Sequence, residues 1–316
     1  MSAEFVVAVD FGGTKVDIVS ATLGGEIIDR VRFEIAPPRD ADQVVRDAIE
    51  ATRSVIARTE AGSSGHCVAA GAVSPGIVLA DRIALAPNVP GWEELALKSI
   101  LGEALGLDCV AVGNDAKAAG LAELRWGTLA NADPALYLNL GTGVSAAVLV
   151  GGRVLEGAHG AAGEVGYSLR GCGDTSAFAE GAAPLEELAG GRFIGVHASR
   201  LLGRSVTAAD AFAADDRATR ELVDNALDEL GVHVANMALL LDPERIAVGG
   251  GMMESSHRVL AALARRLQQA LPFPPELVCA RFVHDAALHG AVALALDAVR
   301  PGPAAPMAAG AGGGRP

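Results

Sequence analysis

Val6-Val7-Ala8-Val9-Asp10-Phe11-Gly12-Gly13-Thr14-Lys15 runs into the apolar-rich segment Val16 to Ala21, and the design returns in mid-chain. There it reads Leu136-Tyr137-Leu138-Asn139-Leu140-Gly141-Thr142-Gly143, followed by Val144 to Val150. Each copy is a strand, a glycine turn and a second strand. Glycine removes the side chain that would keep an anion off the backbone, so each turn can aim bare N–H groups at a phosphate. Two such turns predict a phosphate chain clamped between two lobes, and hence a nucleotide site.

Working outward from the first hairpin, Glu26 to Ala36 reads as a further strand, and Ala41 to Arg58 shows helical spacing through Val44, Val45, Ala48, Ile49, Val55 and Ile56. A buried-type strand, Cys67 to Val73, enters the turn Ser74-Pro75-Gly76. The punctuated loop Ala86 to Trp92 precedes a helix over Glu93 to Leu105; then come a strand, Cys109 to Val112, and Gly113-Asn114-Asp115 opening a helix through Arg125. After the second hairpin lies a Gly- and Ala-rich stretch, Gly151 to Gly191. Helices over Arg217 to Leu241, Met252 to Ala270 and Ala286 to Val299 frame strands at Glu244 to Val248 and Leu277 to Phe282, with the turn Gly249-Gly250-Gly251 between. This order indicates a mixed α/β protein. From Arg300 onward the Pro/Gly/Ala composition cannot build a core, and 300–316 is expected to be disordered.

The bulk properties exclude several functions. A chain of 316 residues can bury roughly 75% of its unfolded surface, enough for two lobes. Net charge is −13, and Lys15, Lys98 and Lys117 are the only lysines, so no basic stripe exists to follow a phosphodiester backbone; nucleic acid is not an expected partner. The longest uncharged run, Pro134 to Gly152, contains Asn139 and the Gly141-Thr142-Gly143 break, so it reads as strand–turn–strand and no membrane partner is expected. The start, Met1-Ser2-Ala3-Glu4, lacks the features of a signal peptide, and the scattered Cys67, Cys109, Cys172 and Cys279 suit reduced thiols, which together predict a cytoplasmic protein.

A glycine hairpin alone is weak evidence, since Asp10 could simply cap turn amides, and no Gly-x-x-x-x-Gly-Lys loop is present. The order of the turns is more specific. With Asp10 to Lys15, Asn114-Asp115, Gly141 to Gly143 and Gly249 to Gly251 in this succession, the chain resembles the ROK family of sugar kinases, part of the actin-like ATPase superfamily. The resemblance spans residues 5 to 298 and also includes Ser74-Pro75-Gly76, Asn88 to Trp92, Ala162-Gly163-Glu164-Val165-Gly166, Leu185-Glu186 and Asp242-Pro243-Glu244. It implies a two-lobed α/β, actin-like (ribonuclease H-like) fold whose interlobe cleft closes over ATP-Mg²⁺ and a sugar. The small lobe is expected over 1–114, the large lobe over 115–285, with helix 286–299 packing back on the small lobe.

The resemblance also implies roles. Asp115 is the expected general base, because a carboxylate beside the acceptor hydroxyl can take its proton as the oxygen attacks the γ-phosphorus; by position alone it equally suits the start of the following helix. Asn114 would hold a neighbouring sugar hydroxyl. Glu164 and Glu186 resemble the family's sugar ligands, each able to accept from two hydroxyls; the alternative, that Glu186 and Glu187 simply face solvent on a helix, is the less favoured one. Asn88, Pro75 and Gly76 are expected to line the same pocket. Asp10 would orient Mg²⁺ directly or through water. Gly12, Gly13, Thr14, Lys15, Gly141, Thr142 and Gly143 would hold phosphates, and Gly249, Gly250 and Gly251 the adenosine.

Departures from the family are equally specific. Where its sugar kinases commonly carry a histidine that touches sugar and a structural zinc, this chain has Tyr167, and Gly171-Cys172-Gly173-Asp174 keeps one cysteine. A lone thiolate cannot make a tetrahedral site, so no zinc is expected. Tyr167 is expected in the sugar-binding set, where it either alters the C1/C2 end of the pocket or does a job similar to the histidine's; Ser145 replaces a glycine often found after the second phosphate turn. The activity expected is ATP- and Mg²⁺-dependent phosphorylation of a hexose at its 6-hydroxyl, glucose by default. A kanosamine, N-acetylmannosamine, fructose or cyclitol acceptor is the alternative, as is a sugar-binding regulator without catalysis. The family also includes DNA-binding repressors, but the Asp10 motif sits almost at residue 1 and the chain is acidic. Family members often form dimers; a homodimer is allowed, though no feature of this sequence marks one.

Overall fold

The computed structural model describes residues 4–35, 40–63, 65–79, 81–86 and 91–299. The first half runs β1 (Glu4–Phe11), β2 (Lys15–Thr22), β3 (Ile27–Glu34), α1 (Ala41–Ser63), β4 (His66–Ser74), the short strands β5 (Ile77–Val78) and β6 (Ile83–Ala84), α2 (Leu97–Leu105), β7 (Val110–Asn114) and α3 (Asp115–Trp126). The second runs β8 (Ala135–Leu140), β9 (Val144–Val150), β10 (Arg153–Val154), α4 (Glu186–Ala189), α5 (Gly191–Leu202), α6 (Ala208–Ala213), α7 (Arg217–Leu241), β11 (Arg245–Gly249), α8 (Ser256–Ala270), β12 (Glu276–Cys279) and α9 (Ala286–Val299). Asn88 and the tail 300–316 lie outside the described residues.

The duplicated hairpin becomes a duplicated sheet. One five-stranded sheet has the order β3-β2-β1-β4-β7 and the other β10-β9-β8-β11-β12. In each, the hairpin is antiparallel and the next two strands add in parallel beside its first strand. The first strand of each hairpin is apolar at nearly every position because helices cover both faces, the pattern expected of parallel strands. Val7 and Val9 of β1 join a core with Val44 and Val55 of α1 and Leu101 of α2, while Val6 and Ala8 join Leu288, Ala291 and Ala295 of α9. In the second sheet, Leu136, Leu138 and Leu140 share a core with Ile194, Leu230 and Leu263. Tyr137 and Ala147 face Ala119 of α3 instead.

The chain therefore crosses twice between sheets. Helix α3 leaves β7 and packs on the second sheet; α9 leaves the second sheet after β12 and packs on the first. The two helices meet at Gly290, where a Cβ would fall on the backbone of Ala118, 2.6 Å from its Cβ. Only a glycine allows so close a crossing.

Several element boundaries differ from the sequence expectation, among them the last strand, expected over Leu277 to Phe282 and found at Glu276–Cys279; two of the helix ends have a local reason. The first long helix continues past Arg58 to Ser63, because the buried Thr59 hydroxyl hydrogen-bonds Ser20 of β2 at 2.7 Å and keeps that turn on the sheet. The helix expected from Glu93 begins at Leu97. Before it, Trp92–Glu94 forms a 3-10 turn whose indole N–H donates to Ser74 Oγ at 2.7 Å. Likewise a 3-10 turn over Gly251–Ser255 precedes α8. No helix among the described residues is long and apolar enough to cross a membrane.

Candidate active site

Parallel strands present their carboxyl ends on one side of a sheet, where ligands commonly bind. Here those ends carry Asp10 on β1, Ser74-Pro75-Gly76 after β4, Asn114-Asp115 after β7, Gly141 to Gly143 after β8 and Gly249 to Gly251 after β11. Two cavities open there. One, of about 210 Å³, is lined by Asp115, Tyr137, Asn139, Gly141, Gly250, Gly251 and His284, among others. The other, of about 370 Å³, is walled by Gly141, Thr142, Arg192, Phe212, Met252 and Glu254, among others. They share Gly141 and Gly251, so they lie side by side at the second glycine turn, the smaller holding Asp115 and the larger being the more apolar chamber.

Carboxyl groups crowd the Asp115 end. Burial lifts the Asp115 carboxyl to about 6, only partly opposed by backbone N–H donors including that of Ala116 at 2.7 Å. Asp10 is pushed to about 7, first by burial and then by the negative charges of Asp115 and Asp17. Glu164 is also pushed to about 7, by burial and then by Asp115, with Lys117 opposing. Such repulsion between neighbouring acids marks a place that favours a cation or a hydroxyl donor. Asp10 supplies a hard oxygen donor of the kind Mg²⁺ takes singly, the rest of its shell being phosphate and water. Among the described residues no group of three or more His, Cys, Asp or Glu could hold a metal ion by itself.

Asn114 caps α3: its Oδ1 accepts from Lys117 N–H at 3.0 Å, while its Nδ2 donates to the Gly76 carbonyl at 2.9 Å. Each group keeps capacity for one further bond. The cap thus ties the Pro75-Gly76 turn to the residue before Asp115. Ser74 Oγ, which receives the Trp92 indole, donates to the Pro75 carbonyl at 2.9 Å and stiffens the same turn.

Glu164 stands at the end of the 156–164 loop, just before the 3-10 turn Val165–Tyr167. Its neighbour Gly163 has φ 90°, and its carbonyl accepts from Ala146 N–H at 2.8 Å, which fixes the loop against β9. The two adjacent glutamates take opposite tasks. Glu187 is exposed and accepts from Ala183 N–H at 3.1 Å, a local cap. Glu186 turns inward, and its Oε2 accepts from Val144 N–H at 3.0 Å behind the second glycine turn. A Cβ at Gly143 would land on that carboxylate. Tyr167 stacks on Phe178 with ring centroids 4.1 Å apart, and its hydroxyl is raised by burial and then by the charges of Glu164 and Glu186. Cys172 is exposed, in a turn where Asp174 grips Arg170 at 2.9 Å.

The phosphate-turn residues divide. Gly13 and Thr14 are exposed, and a Cβ at Gly13 would meet nothing within 4 Å. Lys15 lies 3.7 Å from Asp17. Thr142 is exposed; Gly141 and Thr142 offer carbonyls to Gly191 and Arg192 N–H at 3.0 Å, seating α5 behind the turn. Ser145 Oγ faces Asn139 Nδ2 across the hairpin at 3.4 Å. Gly250 and Gly251 line the cavities; Gly249 lines neither, being packed against the Tyr137 ring.

Several lining residues carry no sequence signal. Arg192, Phe212, Met252 and Glu254 come from α5, α6 and the turn before α8, and only long-range packing brings them together. His284 joins Asp115 in the smaller cavity by the same route, while Asn139 reaches it from the second hairpin itself, two residues before Gly141. Lys117 had a signal, as a charge among alanines one turn into α3, but its burial was not readable.

The sequence profile of the ROK family matches residues 6–298. A glucokinase of Halalkalibacterium halodurans is 30% identical over 86% of this chain and 88% of its own length. An N-acetylmannosamine kinase of Escherichia coli O157:H7 is 28% identical over 91% of this chain and 97% of its own. A ROK family glucokinase from Streptomyces griseus, solved with glucose and AMPPNP, superimposes with a TM-score of 0.74 at 28% identity, covering 92% of this chain and 99% of that one. The fold is accordingly the two-lobed, actin-like α/β fold of these kinases. Matched by the family's profile over nearly its whole described length, this chain belongs to the ROK family.

Proposed function

We propose that this protein is a sugar kinase that moves the γ-phosphoryl group of ATP to the 6-hydroxyl of a hexose or hexose-like sugar. The observation that carries the reading is the place of Asp115. It lines a cavity of about 210 Å³ that shares Gly141 and Gly251 with a neighbouring chamber of about 370 Å³, walled by Phe212 and Met252. That chamber suits adenosine, and the turn between suits phosphates.

The chemistry follows from the residues. Asp115, ionised, takes the proton of the sugar hydroxyl as its oxygen bonds to the γ-phosphorus; the bond from that phosphorus to the β–γ bridging oxygen breaks, and ADP leaves. Glu164 accepts from sugar hydroxyls, and Glu186 does so through Oε1, its other oxygen being held by Val144 N–H. Asn114 uses its remaining donor and acceptor on the sugar, while Pro75, Gly76, Asn88 and Tyr167 complete the pocket. Gly12, Gly13, Thr14 and Lys15 approach the phosphates from one side and Gly141 to Gly143 from the other. Asp10 would hold Mg²⁺, which supplies positive charge against the phosphate oxygens. The lobes 1–114 with 286–299, and 115–285, close on one another and exclude water, so phosphate passes to sugar.

Glucose and N-acetylmannosamine are the acceptors of the two relatives described above, and Tyr167 stacked on Phe178 favours a pocket differing from glucose at C1/C2. The test is ADP release with ATP-Mg²⁺ over a panel of hexoses, amino sugars and cyclitols, with Asp115→Asn alongside. Turnover on one acceptor that vanishes in Asp115→Asn is expected. Sugar binding without turnover on any acceptor would sink the kinase reading and leave a regulator.

A further inference from the structure

We propose that Lys117 is a positioning residue, whose ammonium group ties the 156–164 loop to α3 and so sets where Glu164 meets the sugar. Lys117 is one of three lysines in the chain and is only 3% exposed. Its Nζ donates to the Gly160 carbonyl at 2.5 Å, the Glu156 carboxylate at 2.8 Å and the Glu156 carbonyl at 3.2 Å. Three protons meet three acceptors, so the group is saturated. All three acceptors belong to one loop, and that loop ends at Glu164.

A buried ammonium is expensive to desolvate, and an apolar side chain of similar length would pack as well. Packing alone therefore does not explain a lysine here. Its effect is geometric: the loop is pinned at one end to β9 by the Gly163–Ala146 hydrogen bond, and at the other to α3, two residues beyond Asp115. General base and sugar ligand are thereby referred to the same helix. The charge acts in the same direction. Glu164 is raised by burial, Asp115 and Glu186, with the Tyr167 hydroxyl also beside it, and Lys117 is the cation that favours its ionised form.

The substrate part of this proposal rests on the kinase reading; the loop part does not. The experiment compares the full-length protein with Lys117→Met and Glu156→Gln, by amide hydrogen exchange over 157–164 and by steady-state kinetics on the acceptor that the wild type turns over. Lys117→Met is expected to fold, to exchange faster in that loop alone, and to raise sugar KM about tenfold, worth about 1.4 kcal/mol, with kcat falling less than KM rises. The acid limb of its kcat/KM profile moves to higher pH, since Glu164 loses the cation that favours its charge. Folded Lys117→Met with unchanged loop exchange, or with faster exchange and unchanged KM, overturns the proposal. Should Lys117→Met fail to fold, Glu156→Gln decides. That carboxylate is 65% exposed, and its loss should give the same changes at smaller size; no change overturns the proposal. A wild type that turns over no sugar sinks the kinase reading, while loop exchange still judges the tether.

Discussion

Acidification should weaken this enzyme in two separable ways, and the site gives the size of each. On the proposed reading Asp115 must be ionised to act as base, and burial places its carboxyl at about 6. Such a group is about nine-tenths charged at pH 7 and about one-tenth at pH 5, so kcat should fall about tenfold between them with a slope approaching one. As the proposed sugar ligand, Glu164 must be ionised to accept from hydroxyls, and it lies at about 7 in the ligand-free site. If Glu164 is a sugar ligand, as proposed, bound sugar would donate to it and hold it charged, so it would drop out of kcat but not out of kcat/KM, which reports the free enzyme. Both groups together take kcat/KM down by about 500-fold over the same span, with a slope approaching two.

The assay is initial-rate kinetics from pH 5 to 8, with nucleotide and Mg²⁺ saturating so that Asp10 stays charged throughout. Glu164→Gln should keep the kcat limb while the kcat/KM slope falls to one. Asp115→Asn should lower kcat by about 10²–10⁴ and abolish its limb. A wild-type kcat flat down to pH 5, or Asp115→Asn with undiminished kcat, would refute the assignment of the base.

Two further outcomes follow from the same geometry. Asp10 has a folded-state value raised to about 7 from 3.8, so its contribution to stability is present at low pH and lost as pH rises through 7; Asp10→Asn should therefore raise the apo melting temperature at pH 8 while activity collapses, and a lowered melting temperature would contradict the burial argument. Gly290→Ala gains about 1 kcal/mol of helix propensity, but its methyl meets Ala118 across the helix crossing, and overpacking of that kind costs about 1–3 kcal/mol. The net expectation is a lower melting temperature and a reduced kcat, since Asp115 lies one turn before Ala118 on α3; a variant as stable and active as wild type would show that the crossing is loose.

How much of this was legible depends on how local each feature is. The glycine turns, Asp10 and Asn114-Asp115 could be read because strand ends and turn residues signal within a few positions. The Glu186–Glu187 pair could not be divided by periodicity, since what separates them is Val144 N–H, more than forty positions upstream in the second hairpin. The walls of the larger cavity were invisible for the same reason: Phe212 sits on a helix of six residues and Met252 in a 3-10 turn, and neither segment announces that it faces Gly141. Element ends were misread where a side chain hydrogen bond overrode spacing, as Trp92 to Ser74 does before α2.

The duplicated scaffold also explains a difference between its copies. Asp10 and Asn139 occupy the same place, next to last in the first strand of each hairpin, and each faces the second strand: Asp10 opposite Asp17, Asn139 opposite Ser145. Two facing acids in the first copy need a counter-charge, and β3 provides it. Arg32, paired in register with Asp17, donates to it at 2.8 Å; Arg30 donates to it at 3.0 Å and reaches Asp285 at 2.9 Å. Burial would raise Asp17, but these hydrogen bonds hold it below the usual carboxylate range. Asp10 is the member of the pair that is lifted, chiefly by burial, then by Asp115 and then by the charged Asp17. The second copy, amide opposite hydroxyl, has no such charge to balance, and its third strand β10 is only two residues long against eight in β3. On the proposed reading, that leaves one carboxylate, Asp10, for a metal and, at the matching place in the second copy, an uncharged amide that would not repel a phosphate.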